Sequence, residues 1–166
     1  LIEAGNSVFI WNRPDNLHIT SSMSTWDQTS LFVEMDMKPT KEILLHGEDG
    51  FILMGDNIPS GYFSMTNLLP TNGTLRIGAQ RHTIIGGRIW MDRQWGDWTG
   101  AGYAWDWFSL RFDDGGALML FQFRDASEKV VRGNWTYRDK DGLVTYGTDF
   151  QVVAKRMFRA YPIDWT

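Results

Sequence analysis

The sequence predicts an all-β protein built as an antiparallel barrel or sandwich. Apolar residues recur at a spacing of two, as in LFVEMDM at 31–37 and ALMLFQF at 117–123, and this alternation is typical of strands with one buried face. Candidate strands follow one another about every ten residues with turn residues between them, as in antiparallel all-β folds. No amphipathic helix longer than two turns is predicted.

The candidate strands lie in order at 31–37, 74–79, 82–90, 107–112, 117–123 and 143–154. A shorter one begins at Tyr62, after a turn at 59–61. Asn and Gly tolerate the positive φ angles of tight hairpins. Hairpin turns are therefore predicted at 71–73, 113–116 and 140–142.

Composition excludes several classes of protein. A chain of 166 residues fits one domain with its own core. The net charge of −4 and the scattered Lys and Arg argue against a nucleic-acid partner, and no apolar run approaches the length of a membrane-spanning helix. The chain has no cysteine, and its three histidines lack metal-ligand spacing. With no phosphate loop or dinucleotide fingerprint either, we expect no metal and no cofactor.

A tryptophan-rich segment at 90–108 carries the candidate functional residues. It holds five of the nine tryptophans of the chain together with three aspartates. The pattern predicts two adjacent strands, 84–95 and 103–112, joined by a glycine-containing loop at 96–102.

On the second of these strands, alternation puts Asp106 on one face with Phe108, Leu110 and Phe112. We expect this apolar face to be interior, which places Asp106 at the wall of a cavity. Burial disfavours the charged carboxylate, so its pKa would be raised, as general acid catalysis requires. The alternative is structural: Asp106 would accept hydrogen bonds from an indole or an arginine and tie two strands together.

On the first strand, one face carries Arg88, Trp90, Asp92 and Gln94, and the other carries Ile89, Met91, Arg93 and Trp95. An ion pair with Arg88 would lower the pKa of Asp92 and make it an orienting group or a base. Such a pair is structural as often as it is catalytic.

The aromatic residues supply candidate walls for a ligand site. Tryptophan offers a rigid apolar surface with one donor, and its ring face attracts positive charge. The predicted ligand-contacting residues are Trp90, Gln94, Trp95, Trp105, Trp107, Phe108 and Tyr62. The alternative is that the tryptophans plug one end of the barrel.

Four motifs resemble a known family: GYFS at 61–64, WMDRQWG at 90–96, WDWFSLRFDDG at 105–115 and LMLFQFR at 118–124. They occur in this order in the lipocalin-like carotenoid 1,2-hydratase and kievitone hydratase superfamily, which also takes in AttH-like proteins, predicted secreted hydrolases and related domains of fungal Diels–Alderases. The resemblance is clear over about residues 42–124.

The resemblance implies lipocalin-like domains in tandem. We expect most of a first domain at 1–126 and strands leading into a second at 127–166, so that the chain is an internal portion of a longer protein. It also implies a periplasmic or secreted location. Where carotenoid hydratases tend to have a histidine, this chain has Arg93 and Gln94, and an arginine cannot act as a base.

The function implied by the resemblance is acid-catalysed hydration or cyclisation of an apolar isoprenoid or polyene substrate. Asp106 is then the predicted acid, with Asp92 and Arg88 as base or orienting groups. Two alternatives remain open: a lipocalin-like protein that binds an apolar ligand without chemistry, and a pericyclase of the Diels–Alderase type that needs shape rather than an acid.

Overall fold

A computed structural model describes residues 1–12, 15–54, 58–96, 103–153 and 155. Its strands are β1 Ile2–Ala4, β2 Ser7–Asn12, β3 Asn16–Ser24, β4 Ser30–Pro39, β5 Leu44–Leu45, β6 Phe51–Met54, β7 Ile58–Ile77, β8 Gln80–Thr83, β9 Ile89–Gly96, β10 Ala104–Arg111, β11 Ala117–Arg124, β12 Val130–Arg138 and β13 Val144–Gly147. Within the described ranges there is no helix that is long and apolar enough to cross a membrane.

The strands form two antiparallel sheets, which confirms the predicted fold class. The larger sheet has nine strands in the order β1-β2-β3-β4-β7-β5, with β6, β8 and β9 also paired to β7. The smaller sheet has the order β10-β11-β12-β13. Every strand pair in the described part of the chain is antiparallel. The larger sheet curls into a half-barrel in which β7 is the common strand.

Strand β7 runs for 20 residues and passes through a segment that the sequence predicted as a turn. The hairpin expected at 71–73 is therefore wrong. Gly73 pairs with Met35 of β4, and a Cβ atom on Gly73 would lie 2.7 Å from the Cβ of Met35. This glycine permits close packing between strands rather than a reversal of the chain.

Two other predicted strands differ in length. The strand expected at 82–90 is split, because β8 ends at Thr83 and β9 begins at Ile89. Gly87 lies between them with a φ of 144°. The strand expected at 143–154 ends at Gly147.

The other two predicted hairpins are confirmed. Gly115 has a φ of 94° between β10 and β11, and Gly142 has a φ of 98° between β12 and β13. Strands β12 and β13 belong to the same sheet as β11, so this sheet continues past residue 126. The second domain itself stays a prediction.

The two faces of β7 contribute to two separate cores. Between the sheets, Tyr62 packs in a cluster with Ile52, Met54, Met119, Phe121 and Phe123. On the other face, inside the curl, Met65 and Leu68 pack with Leu17 and Met37. Truncating a fully buried side chain such as Met119 to alanine costs about 2–5 kcal/mol.

Polar contacts also join the two sheets. Arg138 of β12 is buried and donates to the backbone oxygen of Glu42 at 2.6 Å and to the hydroxyl of Thr66 on β7. Burial lowers the pKa of Arg138. The hydroxyl of Thr136 accepts a hydrogen bond from the Gly47 amide at 3.3 Å. These contacts hold the smaller sheet against the face of β7 that carries Tyr62 and Thr66.

Candidate functional site

The face of β10 that is turned toward the larger sheet carries Trp105 and Trp107, exposed by 63% and 42%, so the predicted orientation of this strand is wrong. The indole nitrogen of Trp107 donates to the hydroxyl of Tyr62 across the gap between the sheets, at 2.9 Å. Trp105 pairs with Phe123, a residue of the inter-sheet core. The apolar face that was expected to be interior lies on the other side of the sheet, with Phe108, Leu110 and Phe112 exposed by 36%, 42% and 40%.

Both faces of this smaller sheet are apolar, which explains the error. The outer face of β11 and β12 carries Leu118, Leu120, Trp135 and Tyr137, and these residues line an open groove with Phe112. Alternation shows which residues share a face, but it does not show which face meets the larger sheet.

A small cavity of about 80 Å³ lies between the sheets beside Trp105 and Trp107. Its other lining residues are Met54, Tyr62, Gln94, Phe121 and Phe123. Four of the seven predicted ligand-contacting residues are therefore brought together here: Tyr62, Gln94, Trp105 and Trp107. The walls are almost entirely aromatic or aliphatic, as expected of a site for an apolar group.

The other three predicted contacts lie elsewhere. Trp90 packs against the inter-sheet core but does not line the cavity. Trp95 is on the opposite face of β9, where its ring contacts Phe63 edge-on at 6.0 Å between centroids. Phe108 is on the outer face of the smaller sheet. Of the predicted loop at 96–102, residues 97–102 lie outside the described residues.

Asp106 is held as a carboxylate, contrary to the expectation of a raised pKa. Arg124 of β11 donates to both of its oxygens, at 2.9 Å from Nε and 3.0 Å from Nη2. Gln122 adds a bond of 2.8 Å. These hydrogen bonds, led by those of Arg124, lower the pKa of Asp106. The geometry is that of the structural alternative, a tie between β10 and β11.

Asp92 has the opposite environment. It pairs with Ser64 of β7, whose hydroxyl donates to Asp92 Oδ1. The indole nitrogen of Trp90 donates to the same oxygen at 2.8 Å, and the hydroxyl of Tyr62 is a further hydrogen-bonding partner. Burial outweighs these bonds and raises the pKa of Asp92. The lowered pKa that an ion pair with Arg88 would have given Asp92 is therefore not found.

The predicted pairing of Arg88 with Asp92 is also wrong. Arg88 is exposed just before β9, and the ion pairs among the described residues do not include it. Its backbone oxygen accepts a hydrogen bond from Arg111 at 3.3 Å. Whether Asp106, Asp92 or Arg88 takes part in catalysis stays a prediction.

His46 and Ser64 are site residues that the sequence analysis missed. His46 is 0% exposed, and its Nε2 atom lies 2.6 Å from the hydroxyl of Ser64. Its Nδ1 atom is buried without a hydrogen-bond partner among the described residues. Burial lowers the pKa of His46 to about 3, so the ring is neutral at physiological pH. The signal that could have pointed to Ser64 is its position two residues from Tyr62, on the same strand face.

These groups form one hydrogen-bonded network that converges on Asp92. Trp107 contacts Tyr62, and Tyr62 contacts Asp92 from one side. From the other side, His46 contacts Ser64, which contacts Asp92. Burial, reinforced by the negative charge of Asp92, raises the pKa of Tyr62, so its hydroxyl keeps its proton. The network therefore joins a carboxyl group of raised pKa to a hydroxyl group on the cavity wall.

A second cavity of about 510 Å³ lies on the other face of β7 and β9, inside the curl. Its lining residues are Leu1, Ile2, Phe9, Trp11, Phe63, Met91, Asp92 and Arg93.

Among the described residues, no three His, Asp or Glu side chains are grouped as a metal site would need.

Comparison with known proteins gives a family but no activity. The fold matches the crystal structure of a Nitrosomonas europaea protein assigned as AttH, with a TM-score of 0.65 and 24% identity over 81% of this chain. The chain spans 45% of the length of that protein. No curated protein matches the chain. The model of the AttH-like family matches residues 8–166, and the chain therefore belongs to the AttH-like family.

Proposed function

We propose that the protein protonates a double bond of an apolar isoprenoid or polyene substrate in the cavity between the sheets. Asp92 is the acid in this proposal, and Tyr62 is the group that touches the substrate. The observation that carries it is the hydrogen bond between a buried carboxyl group and a hydroxyl on an aromatic cavity wall. The proposal replaces Asp106 with Asp92, because Asp106 is ionised beside Arg124.

In the proton-transfer step, the Tyr62 hydroxyl proton moves to one carbon of the double bond while the proton of Asp92 moves to the Tyr62 oxygen. A C–H bond forms, the π bond breaks, and a tertiary carbocation remains. In hydration, water adds to the cation and its extra proton returns to Asp92. In cyclisation, a second double bond attacks the cation, and a carbon next to the new cationic centre then loses a proton to the Asp92 carboxylate, which forms a new double bond.

The environment of Asp92 favours its protonated form before this step and stabilises the charges that form in it. Burial keeps the proton on Asp92 at a higher pH than usual, as an acid needs. Ser64 and Trp90 then donate to the carboxylate that forms. Trp105 and Trp107 line the same cavity, and the ring face of tryptophan attracts positive charge. At about 80 Å³, the cavity has room for the end of an apolar chain.

The test compares Asp92→Asn with Asp106→Asn as matched charge-removing variants. We expect Asp92→Asn to reduce turnover of a prenyl substrate by about 100-fold or more, the lower range for general acid catalysis, and Asp106→Asn to stay within a few-fold of wild type. Product formation is followed by chromatography, and circular dichroism confirms folding. Full turnover by Asp92→Asn would contradict the proposal.

The pH profile separates this reaction from a pericyclic one. Activity should fall as pH rises through the pKa of Asp92, because the deprotonated carboxylate cannot donate. A pericyclase that relies on shape and hydrogen bonds would show no such fall.

A second candidate is binding without chemistry, and the cavity inside the curl favours it. Its volume of about 510 Å³ and its walls of Phe9, Trp11, Phe63 and Met91 suit a larger apolar ligand. Quenching of tryptophan fluorescence by a polyene measures this binding. Equal affinity in wild type, Asp92→Asn and Phe63→Ala, without turnover, would exclude both the acid reaction and this cavity as the binding site.

A further inference from the structure

A polar cleft of about 220 Å³ lies at the opposite end of the inter-sheet layer from the aromatic cavity. Its lining residues are Lys41, Thr66, Asn67, Arg88, Arg111, Phe112, Asp113, Asp114, Gly115, Gly116 and Ala117. Three cationic side chains thus meet in one cleft of a protein whose net charge is −4. The proposed reaction uses none of them.

The three cations have no carboxylate partner within ion-pair distance among the described residues. Arg111 donates to the backbone oxygen of Arg88 at 3.3 Å, which joins the end of β10 to the segment before β9. The Lys41 ammonium nitrogen lies 3.8 Å from where a Cβ atom on Gly115 would be. Gly115 has a positive φ, so a larger residue would be strained there, while its Cβ atom would be in ordinary van der Waals contact with the ammonium group.

The two acidic residues of the cleft reduce its positive charge but do not neutralise it. Asp114 accepts a hydrogen bond from the Gly116 amide at 2.9 Å and so belongs to the hairpin turn. Asp113 is exposed in the same turn. Three cations against two carboxylates leave the lining with one positive charge in excess. Such a cleft suits one small anionic group, such as a carboxylate or a phosphate.

The buried cation Arg138 contacts a residue of the cleft lining. Arg138 is 4% exposed and donates to the hydroxyl of Thr66, which lines the cleft. Its other donated bond goes to the backbone oxygen of Glu42, whose carboxylate also acts on it. The Nε atom of Arg138 has no hydrogen-bond partner among the described residues.

The cleft and the aromatic cavity lie along the same strand. The inner face of β10 presents Trp105, Trp107, Ser109 and Arg111 in succession. Trp107 and Arg111 are four residues apart, which is about 13 Å along a strand. Both sites are also lined from the side of β9, by Gln94 at one end and by Arg88 just before the strand at the other. The two linings share no residue, so a molecule that occupies both sites must span about 13 Å along β10.

We propose that the cleft of Lys41, Arg88 and Arg111 binds the acidic head group of the substrate, whose apolar end enters the aromatic cavity. The substrate class is then an isoprenoid acid, a carboxylate or phosphate at one end of an unsaturated chain. This inference rests on the proposed function for the identity of the apolar end. The anion site itself is tested by binding alone.

The experiment compares farnesoic acid with farnesol, which has the same chain and no charge. Binding to the 166-residue chain is measured by quenching of tryptophan fluorescence at low salt. We expect the acid to bind about tenfold more tightly, at the low end for hydrogen bonds to charged groups. Added salt should reduce this preference because the lining is open to solvent. Equal affinities at low salt would overturn the proposal.

The variants Arg111→Gln and Lys41→Gln should bring the ratio of the two affinities toward one. Arg81→Gln, which removes the same charge from exposed β8, is the matched control and should keep the ratio. An unchanged ratio in Arg111→Gln would overturn the assignment of the cleft. Inorganic phosphate should compete with farnesoic acid more than with farnesol. Binding of phosphate with no preference for farnesoic acid would show a site for a free anion and overturn the head-group assignment.

Asp92→Asn separates this inference from the proposed function. The variant should lose turnover and keep the preference for the acid. A preference for the acid in a wild-type protein that turns over no prenyl substrate would support the cleft and reject the reaction. Turnover of farnesol with no preference for the acid would support the reaction and reject the cleft.

Discussion

Asp92 and Asp106 lie on strands that follow each other in the chain, and each has a tryptophan close by in sequence, yet their environments are opposite. Asp106 accepts two hydrogen bonds from the guanidinium of Arg124 and has a lowered pKa. Asp92 accepts bonds from neutral groups, is more deeply buried and has a raised pKa. Burial decides the direction of the pKa shift of Asp92, and the hydrogen bonds from Arg124 on the paired strand decide that of Asp106.

This difference assigns the two residues different tasks. A carboxylate bonded to a cation in a partly open site stabilises the sheet and has little tendency to hold a proton. A buried carboxyl group holds its proton to a higher pH, and the neutral donors around Asp92 stabilise the carboxylate that forms when the proton leaves. Variants that change the donors around each aspartate therefore test the comparison directly.

The largest effect is expected for Tyr62→Phe, which removes the hydroxyl between Asp92 and the cavity. Without this hydroxyl the proton has no path to the substrate, so turnover should fall about 100-fold. Tyr137→Phe, on the outer face of the smaller sheet, is the control and should keep its activity. Single-turnover kinetics measure both. Wild-type turnover by Tyr62→Phe would place the proton donor elsewhere.

A smaller effect is expected for Ser64→Ala, which removes one donor to Asp92 and the partner of His46. Leaving buried polar groups unpaired should cost about 1–3 kcal/mol of unfolding free energy. Ser24→Ala, on an exposed position of β3, should stay within about 0.5 kcal/mol of wild type. Urea unfolding measures both.

Ser64→Ala should also change how the free energy of unfolding depends on pH. A raised pKa means that the native state binds the Asp92 proton more tightly than the unfolded chain does. Wild-type stability therefore declines as pH rises from the unfolded value of about 3.9 through the folded pKa of Asp92. Losing a donor to the carboxylate raises that pKa further, so in Ser64→Ala the decline should extend to higher pH. An identical pH dependence would show that Ser64 does not act on Asp92.

Periodicity predicted the central strands and turn chemistry predicted two hairpins, because both depend on local sequence. It could not select the interior face of β10, since both faces of the smaller sheet are apolar. It read Gly73 as a turn residue, although the close approach of Met35 explains the glycine.

The partners of the two aspartates were beyond sequence reasoning for a related reason. Arg124 reaches Asp106 and Ser64 reaches Asp92 only through strand register. His46 is 18 residues from Ser64 in the chain. Register between strands is set by the packing of whole sheets. These residue pairs therefore cannot be identified from a single sequence before the fold is known.

The smallest effect is expected at Asp106, where a double-mutant cycle of Asp106→Asn and Arg124→Gln isolates the ion pair. Both side chains are partly exposed, by 31% and 24%, so their coupling at neutral pH should be no more than about 1 kcal/mol. Arg124 also contacts the exposed carboxylate of Glu128, and Glu128→Gln alone should change stability by less than about 0.5 kcal/mol.

The pH dependence of this coupling has the opposite sign to that of Asp92. A lowered pKa means that the native state favours the carboxylate, so the stabilisation is present above the unfolded value of about 3.9. It is lost as pH falls through the folded pKa of Asp106. Chemical unfolding at neutral and strongly acidic pH should therefore show that the coupling energy between Asp106 and Arg124 becomes smaller on acidification. Over the same change, the loss of stability caused by deprotonating Asp92 should disappear. If the coupling persisted in acid, Asp106 would still be ionised there. If it were absent at neutral pH, Arg124 would not be what keeps Asp106 charged, and the contrast between the two aspartates would rest on burial alone.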